Sequence, residues 1–432
     1  MSKKSDQAQG SAPFAPIPGD RWNLDATVSL LREGYLFIPN RCARHNSDIF
    51  RTRLMLRDVI CLKGPEAAKL VYGSEKLTRV GSMPQTVLRL LQDKDSVQQL
   101  DGETHRHRKA MFVRMLMTDP EGPATLVKIF RDCWNERASG WEARRSVRLA
   151  PEAEVILAEA AFRWTGVPPD QIDLTKDSGI LAQMIEGAGH IGPRTWIALF
   201  RRSRLERKLS KVIAGFRLGR IRVAEGTPTE TIALHRDLQG QLLSPETAAV
   251  ELINLLRPIV AIGRYIVFAA MALHENSDWC RLFEAGNDEL LADFVEEVRR
   301  ISPFFPFVGA MVKDGFEFQG YQIPKGQWLL FDLYGTTHDA ALFPEPDRFK
   351  PQRQLSWRDR IFTFIPQGAG DAKATHRCPG ELVTVEIIKE AIRLLCLTMS
   401  YDVGDQDLRV PLKRIPAGPV SDFEMTNIRK RD

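Results

Sequence analysis

A mainly α-helical fold with a small antiparallel β region is what this sequence predicts, and three observations carry that expectation. Most segments repeat their apolar residues at helical period, among them "THRHRKAMFVRMLM", "PATLVKIFRDCWNERASGW" and "APEAEVILAEAAFRWTGV". One stretch, "PETAAVELINLLRPIVAIGRYIVFAAMALHEN", reads as a helix of roughly thirty residues, about three times the mean length, and a helix so apolar must run through the interior. Between residues 308 and 332 the pattern changes: Asp314-Gly315, Gln319-Gly320 and Lys325-Gly326 mark turns between short alternating runs.

Each element follows from local chemistry. The leading "MSKKSDQAQGSAPFAPIPGD" is polar, rich in Pro and Gly, and lacks the apolar centre of a signal peptide; residues 1–20 are expected to be a flexible tail and 21–432 a single domain. "DATVSLLREGYLFI" opens the helical pattern. Ser244 and Pro245 supply an N-cap and a first-turn proline for the long central helix. "EEVRR" sits on a later helix, and "ELVTVEIIKEAIRLLCLTM" forms the last long one.

Composition narrows the function. With 44% hydrophobic and 27% charged residues among 432, the chain is an ordinary globular protein able to enclose a bulky group. A net charge of only +5, with acids and bases interspersed, gives nucleic-acid binding little support. The basic run "RRSRLERKLSK" (201–211) reads as a solvated helix face. Six cysteines (42, 61, 133, 280, 378, 396) without CxxC pairs suggest neither a disulfide framework nor a zinc site, and a cytoplasmic location is expected. Arg257, Pro258 and Arg264 interrupt the longest apolar run, so no membrane anchor is expected.

Cys378 stands apart from the other cysteines. In "PQGAGDAKATHRCPGE" it follows a Gly-rich loop and precedes a helix. Gly368 and Gly370 permit a sharp turn, Pro379 removes a backbone donor, Gly380 permits close packing, and the helix N-terminus faces the sulfur with its positive end. A lone cysteine before a helix is ordinarily an inert buried thiol, but the whole string resembles the cysteine-ligand loop of the cytochrome P-450 superfamily. That resemblance implies the P-450 fold, with haem b (iron protoporphyrin IX) between the long central helix and the cysteine-ligand loop, and Cys378 as the iron's axial thiolate.

The likeness extends upstream. It implies a structural charge cluster of Glu297 and Arg300, spaced to pair on one helix face, completed by Arg353 in "DRFKPQR". "DGETHRHRKAMF" resembles the helix that binds the haem propionates, with His105 and Lys109 as donors and Arg79 as a further candidate. His105 replaces the usual tryptophan, and Ala369 and Thr375 replace expected glycines in the ligand loop.

The central helix separates the branches of that superfamily. Ordinary members carry an acid followed by threonine there to deliver protons. Between residues 249 and 275 this chain has no Ser or Thr, and its acids, Glu251 and Glu275, lie at the two ends. "LLRPIVAI" stands in their place. Arg257 is a permanent cation in an apolar run, too costly to bury unpaired, and Pro258 cannot donate to the carbonyl of Asn254.

"VELINLLRPIVAI" is similar to the fatty-acid peroxygenase branch, bacterial fatty-acid α/β-hydroxylases. This likeness implies hydrogen-peroxide-dependent hydroxylation of a long-chain fatty acid at the α or β carbon. Arg257 would hold the substrate carboxylate as the general acid-base, and no redox partner would be required. It also implies catalytic roles for Pro258 and Gln98, and a substrate tunnel lined by Leu91, Gln98, Phe304 and Phe305. Competing readings are a decarboxylase giving terminal alkenes, a reductase-dependent monooxygenase of another acidic substrate, and a haem-binding sensor or carrier. Arg264, two turns beyond Arg257, is left open between a second anion site, a distortion of the helix and a partner elsewhere in the protein.

Overall fold

The structure is a computed structural model that describes residues 14–19, 25–189 and 192–431. Residues 1–13 and 20 of the expected tail therefore lie outside the described residues. From Phe14 to Gly19 the chain runs beside the first strand, where Pro18 O accepts from the Arg51 backbone N–H at 2.7 Å.

The central helix spans Pro245–Glu275, 31 residues, close to the length expected. Its start is the one the sequence encodes: Ser244 Oγ accepts from the Thr247 N–H at 3.0 Å, and Pro245 occupies the first turn, where no intrahelical donor is needed. The helix continues unbroken through Pro258, so the proline removes one hydrogen-bond donor without dividing it. Helices Leu149–Thr165, Pro193–Arg217 and Glu381–Leu397 pack around it and form the main hydrophobic core. The central helix is long and apolar enough to cross a membrane, but 89% of its apolar window is buried inside the protein.

The β region forms where the turn signals place it. Gln319 and Gly320, both at positive φ, close a two-residue hairpin between Phe316–Phe318 and Tyr321–Ile323. Phe307–Val312 pairs antiparallel with Trp328–Asp332. The sheet is mixed, however, because Trp328–Asp332 also pairs in parallel with Arg57–Leu62, which forms a further hairpin with Ile49–Leu54. That register joins segments some 270 residues apart, beyond what local periodicity encodes.

The cysteines require a correction. Cys280 and Cys396 form a disulfide across a sequence separation of 116 residues, with Cα atoms 5.5 Å apart, a normal spacing for the bond. Helices Asp278–Glu284 and Glu381–Leu397 pack together and bring them into reach; sequence spacing carries no trace of this. The basic run 201–211 lies on Pro193–Arg217, where Arg201, Arg204, Arg207 and Lys211 are exposed as expected, while Arg202 is buried.

Candidate active site

A cavity enclosing about 1670 Å³ of non-atom space, its open mouth included, lies between the central helix and the loop before Glu381–Leu397. Cys378 is on one wall; Arg257, Pro258, Ile259 and Ile262 are on the other. The ligand loop turns where predicted. Gly368 has φ of +104°, and an added Cβ would sit 3.0 Å from Tyr72 Oη and 3.1 Å from Arg377 Cα, so only glycine fits. Thr375, in place of a glycine, ties the loop through its hydroxyl to the carbonyls of Ala369 (2.8 Å) and Asp371 (2.9 Å).

The backbone N–H of Cys378 donates to Gln367 O at 3.1 Å. Burial pushes its thiol upward and the nearby Glu381 adds to this; the Gly380 N–H, Lys109 and Arg299 oppose. The helix start therefore helps the anion without carrying the balance, and a bound metal cation is what would hold the thiolate. Among the described residues no cluster of three or more His, Cys, Asp or Glu could hold a metal ion, so iron here needs a cofactor that brings its own further ligands.

Four nitrogen-bearing side chains gather at one edge. His105 packs against His376, ring centroids 4.0 Å apart and the planes tilted by 32°, and Lys109 and Arg79 line the cavity beside them. Lys109 donates to the carbonyls of Thr375 and Arg377, and Arg79 to Gly309 O at 2.6 Å. Burial, then the neighbouring cations, push His105 down to about 4 and His376 well below its ordinary value; burial pushes Lys109 down to about 8. Among the described residues no Asp or Glu lines the cavity. A flat apolar group with two carboxylates fits this arrangement, since donors crowd one edge while Phe112, Leu116 and Val383 supply greasy walls. His376 escaped the sequence reading although it sits two residues before Cys378.

Arg257 is the other unmatched charge. It is 7% exposed, its Nε has no hydrogen bond, and it has no ion-pair partner among the described residues. Burial, then the Arg202 cation, push it down to about 9, while Cys378 pulls the other way, placing both groups within electrostatic reach. Gln98, Leu91, Phe304 and Phe305 line the same cavity, with Phe305 at 40% exposure and Phe304 stacked on Tyr265. Arg264 points away from this site: it donates to the carbonyls of Phe304 (3.3 Å), Pro303 (3.0 Å) and Ala417 (2.5 Å).

The expected charge cluster is assembled. Arg300 donates to both carboxylate oxygens of Glu297 at 2.8 Å, and Arg353 Nε to Glu297 at 3.2 Å. A second buried network, not read from the sequence, lies beneath Cys378: Arg299 pairs with Glu296 and Glu381, and Arg377 donates to Glu381 at 2.7 and 3.1 Å. "EEVRR" thus serves two networks, Glu297 with Arg300 and Glu296 with Arg299.

Comparison with known proteins agrees with this geometry. The family model Cytochrome P450 matches residues 287–389. Cytochrome P450 135B1 of Mycobacterium tuberculosis is 24% identical over 437 residues, covering 92% of this chain and 89% of that protein. The solved structure of cytochrome P450SP alpha (CYP152B1) in complex with (R)-ibuprophen is 40% identical, with a TM-score of 0.90, over 94% of this chain and 99% of that one. Cytochrome P450EX alpha (CYP152N1) with myristic acid is 37% identical, TM-score 0.91, over 96% and 100%. A cytochrome P450 OleT variant in complex with arachidonic acid is 31% identical, TM-score 0.91, over 97% and 99%. Fold and site define a haem-thiolate protein. At this identity over nearly the full length of both chains, the protein belongs to the cytochrome P450 superfamily, in its CYP152 branch.

Proposed function

We propose that the protein is a peroxygenase that uses hydrogen peroxide to hydroxylate long-chain fatty acids at the α or β carbon, with haem b as its cofactor and no redox partner. One observation carries the reading: Arg257 is a buried cation with no counter-ion among the described residues, in a cavity that none of their acids lines, across from Cys378. An anionic ligand is the natural counter-ion, and three related structures contain carboxylic acids.

Cys378 would ligate the iron; Arg79, His105, Lys109 and His376 would meet the propionates. Haem bound in this way supplies peroxide activation and oxygen insertion, the thiolate favouring O–O cleavage. Arg257 binds the fatty-acid carboxylate with charge-assisted hydrogen bonds. The cavity-facing part of the central helix has no acid or hydroxyl to move a proton. That task falls to the carboxylate which Arg257 holds, a general acid-base brought by the substrate. Pinning the carboxylate leaves its first two carbons nearest the reacting centre, so position sets regiochemistry. Leu91, Phe304 and Phe305 would line the alkyl path. Pro258 leaves the Asn254 carbonyl without its helical donor just before the arginine.

Gln98 resembles the glutamine that hydroxylating members of this branch carry, which favours hydroxylation over the decarboxylation outcome. The preference is for Cα. A soluble, cytoplasmic enzyme fits these partners. Purified haem-loaded protein mixed with myristic acid and hydrogen peroxide, without reductase, should yield hydroxy acids by mass spectrometry. Turnover that appears only with a reductase and reduced nicotinamide would overturn the reading.

A further inference from the structure

Glu251 looked from the sequence like an acid at the margin of the central helix. In the structure it is fully buried. Its Oε1 accepts from the Val97 backbone N–H at 2.9 Å and from Arg108 Nη1 at 2.8 Å, and its Oε2 accepts from Asn254 Nδ2 at 3.1 Å. Burial pushes its carboxyl upward, while Arg108, Asn254 and the Val97 N–H oppose; three donors converging on it is the arrangement that an ionised carboxylate, an acceptor only, requires. The Asn254 amide must therefore turn its NH2 towards Glu251, and the same nitrogen donates its second hydrogen to Gln98 Oε1 at 3.1 Å.

With its oxygen turned towards Asn254, the Gln98 amide turns its NH2 the other way. Gln98 lines the cavity, and its Nε2 has no partner among the described residues. Were Glu251 neutral, it would donate to the Asn254 oxygen, both amides would reverse, and Gln98 would turn its carbonyl to the cavity. The pairing with Arg108 selects the first arrangement. Arg108 lies on Gly102–Val113, the helix that also carries His105 and Lys109, and Val97 is the neighbour of Gln98, so one carboxylate fixes both the loop and its amide.

We infer that Glu251 and Asn254 are positioning residues that set the polarity of the Gln98 amide, so that it presents an N–H donor, and no acceptor, to the ligand carboxylate beside Arg257. This deepens the fatty-acid reading above and rests on it. The donor adds a second charge-assisted hydrogen bond and orients the carboxylate, whereas a carbonyl at that point would repel it.

The test titrates haem-loaded protein with myristic acid and follows haem absorption, comparing the parent, Gln98→Leu, Asn254→Leu and the double variant. Asn254→Leu should weaken myristate binding about tenfold, as Gln98→Leu does, and the double should be no weaker than Gln98→Leu alone. Parent-like binding by Asn254→Leu, or losses that multiply in the double, would overturn the inference, because a merely structural role persists on both backgrounds. Asn254→Ala, which leaves Glu251 its Val97 and Arg108 donors, is run alongside in case the leucine variant does not fold. Arg257→Ala separates the two claims: if it binds myristate like the parent, the carboxylate reading fails, whatever the Asn254 comparison gives.

Discussion

At Arg257 and Glu154 the protein leaves buried or half-buried charge with no partner among the described residues, and the two cases have different consequences. Arg257 faces a cavity that can deliver an anion. Glu154 faces a separate polar hollow with Arg264, Glu186 and Asp422; burial first, then the Glu186 and Asp422 charges, raise its carboxyl to about 7 from an ordinary 4.5. The folded state thus keeps this proton to higher pH than the unfolded chain does. Its presence lowers stability progressively from about pH 4.5 to pH 7, and by a constant amount above. Glu154→Gln should therefore raise the thermal midpoint above pH 7 and leave it nearly unchanged below pH 4.5; a gain of equal size at both ends would contradict this.

At the scale of elements, helix Leu291–Ile301 is anchored by buried ions more than by its own propensity. Glu297 and Arg300 are both fully buried, and Arg353 and the Lys350 backbone N–H complete the donors around the carboxylate. Glu297→Ala strands Arg300 without its counter-ion, so chemical denaturation should show a loss of about 3–5 kcal/mol. A change under about 1 kcal/mol, the value of a surface pair, would mean the cluster is solvated. The i, i+3 spacing made this pair legible in the sequence, but not its burial. Likewise Ser244-Pro245 announced the central helix and Gln319-Gly320 announced a hairpin, since capping and turn chemistry are local. The parallel pairing of Arg57–Leu62 with Trp328–Asp332, the Cys280–Cys396 bond and the Arg299–Glu381 contact were not legible, because each depends on which distant segments the fold brings together.

For the molecule as a whole, the two sides of the cavity differ in how their charges are matched. Beneath Cys378, Arg299 and Arg377 are paired with Glu296 and Glu381. Above it, Arg257 has no such partner among the described residues. Motif residues sufficed to foresee that Cys378, Arg257, Gln98, Arg79, His105 and Lys109 line one cavity. Glu251, Asn254 and His376 were missed because their importance lies in their neighbours: a buried acid at the end of a helix looks, in one dimension, like a solvated one.

The central claim is that the substrate's own carboxylate, held by Arg257, does the acid-base work. It is tested most directly by peroxide-driven turnover of myristic acid, counted per haem, in the parent and in Arg257→Ala with reductase absent. The account predicts that the variant keeps its haem and loses about a hundredfold or more in rate. A variant that hydroxylates myristic acid at the parent's rate per haem would contradict it.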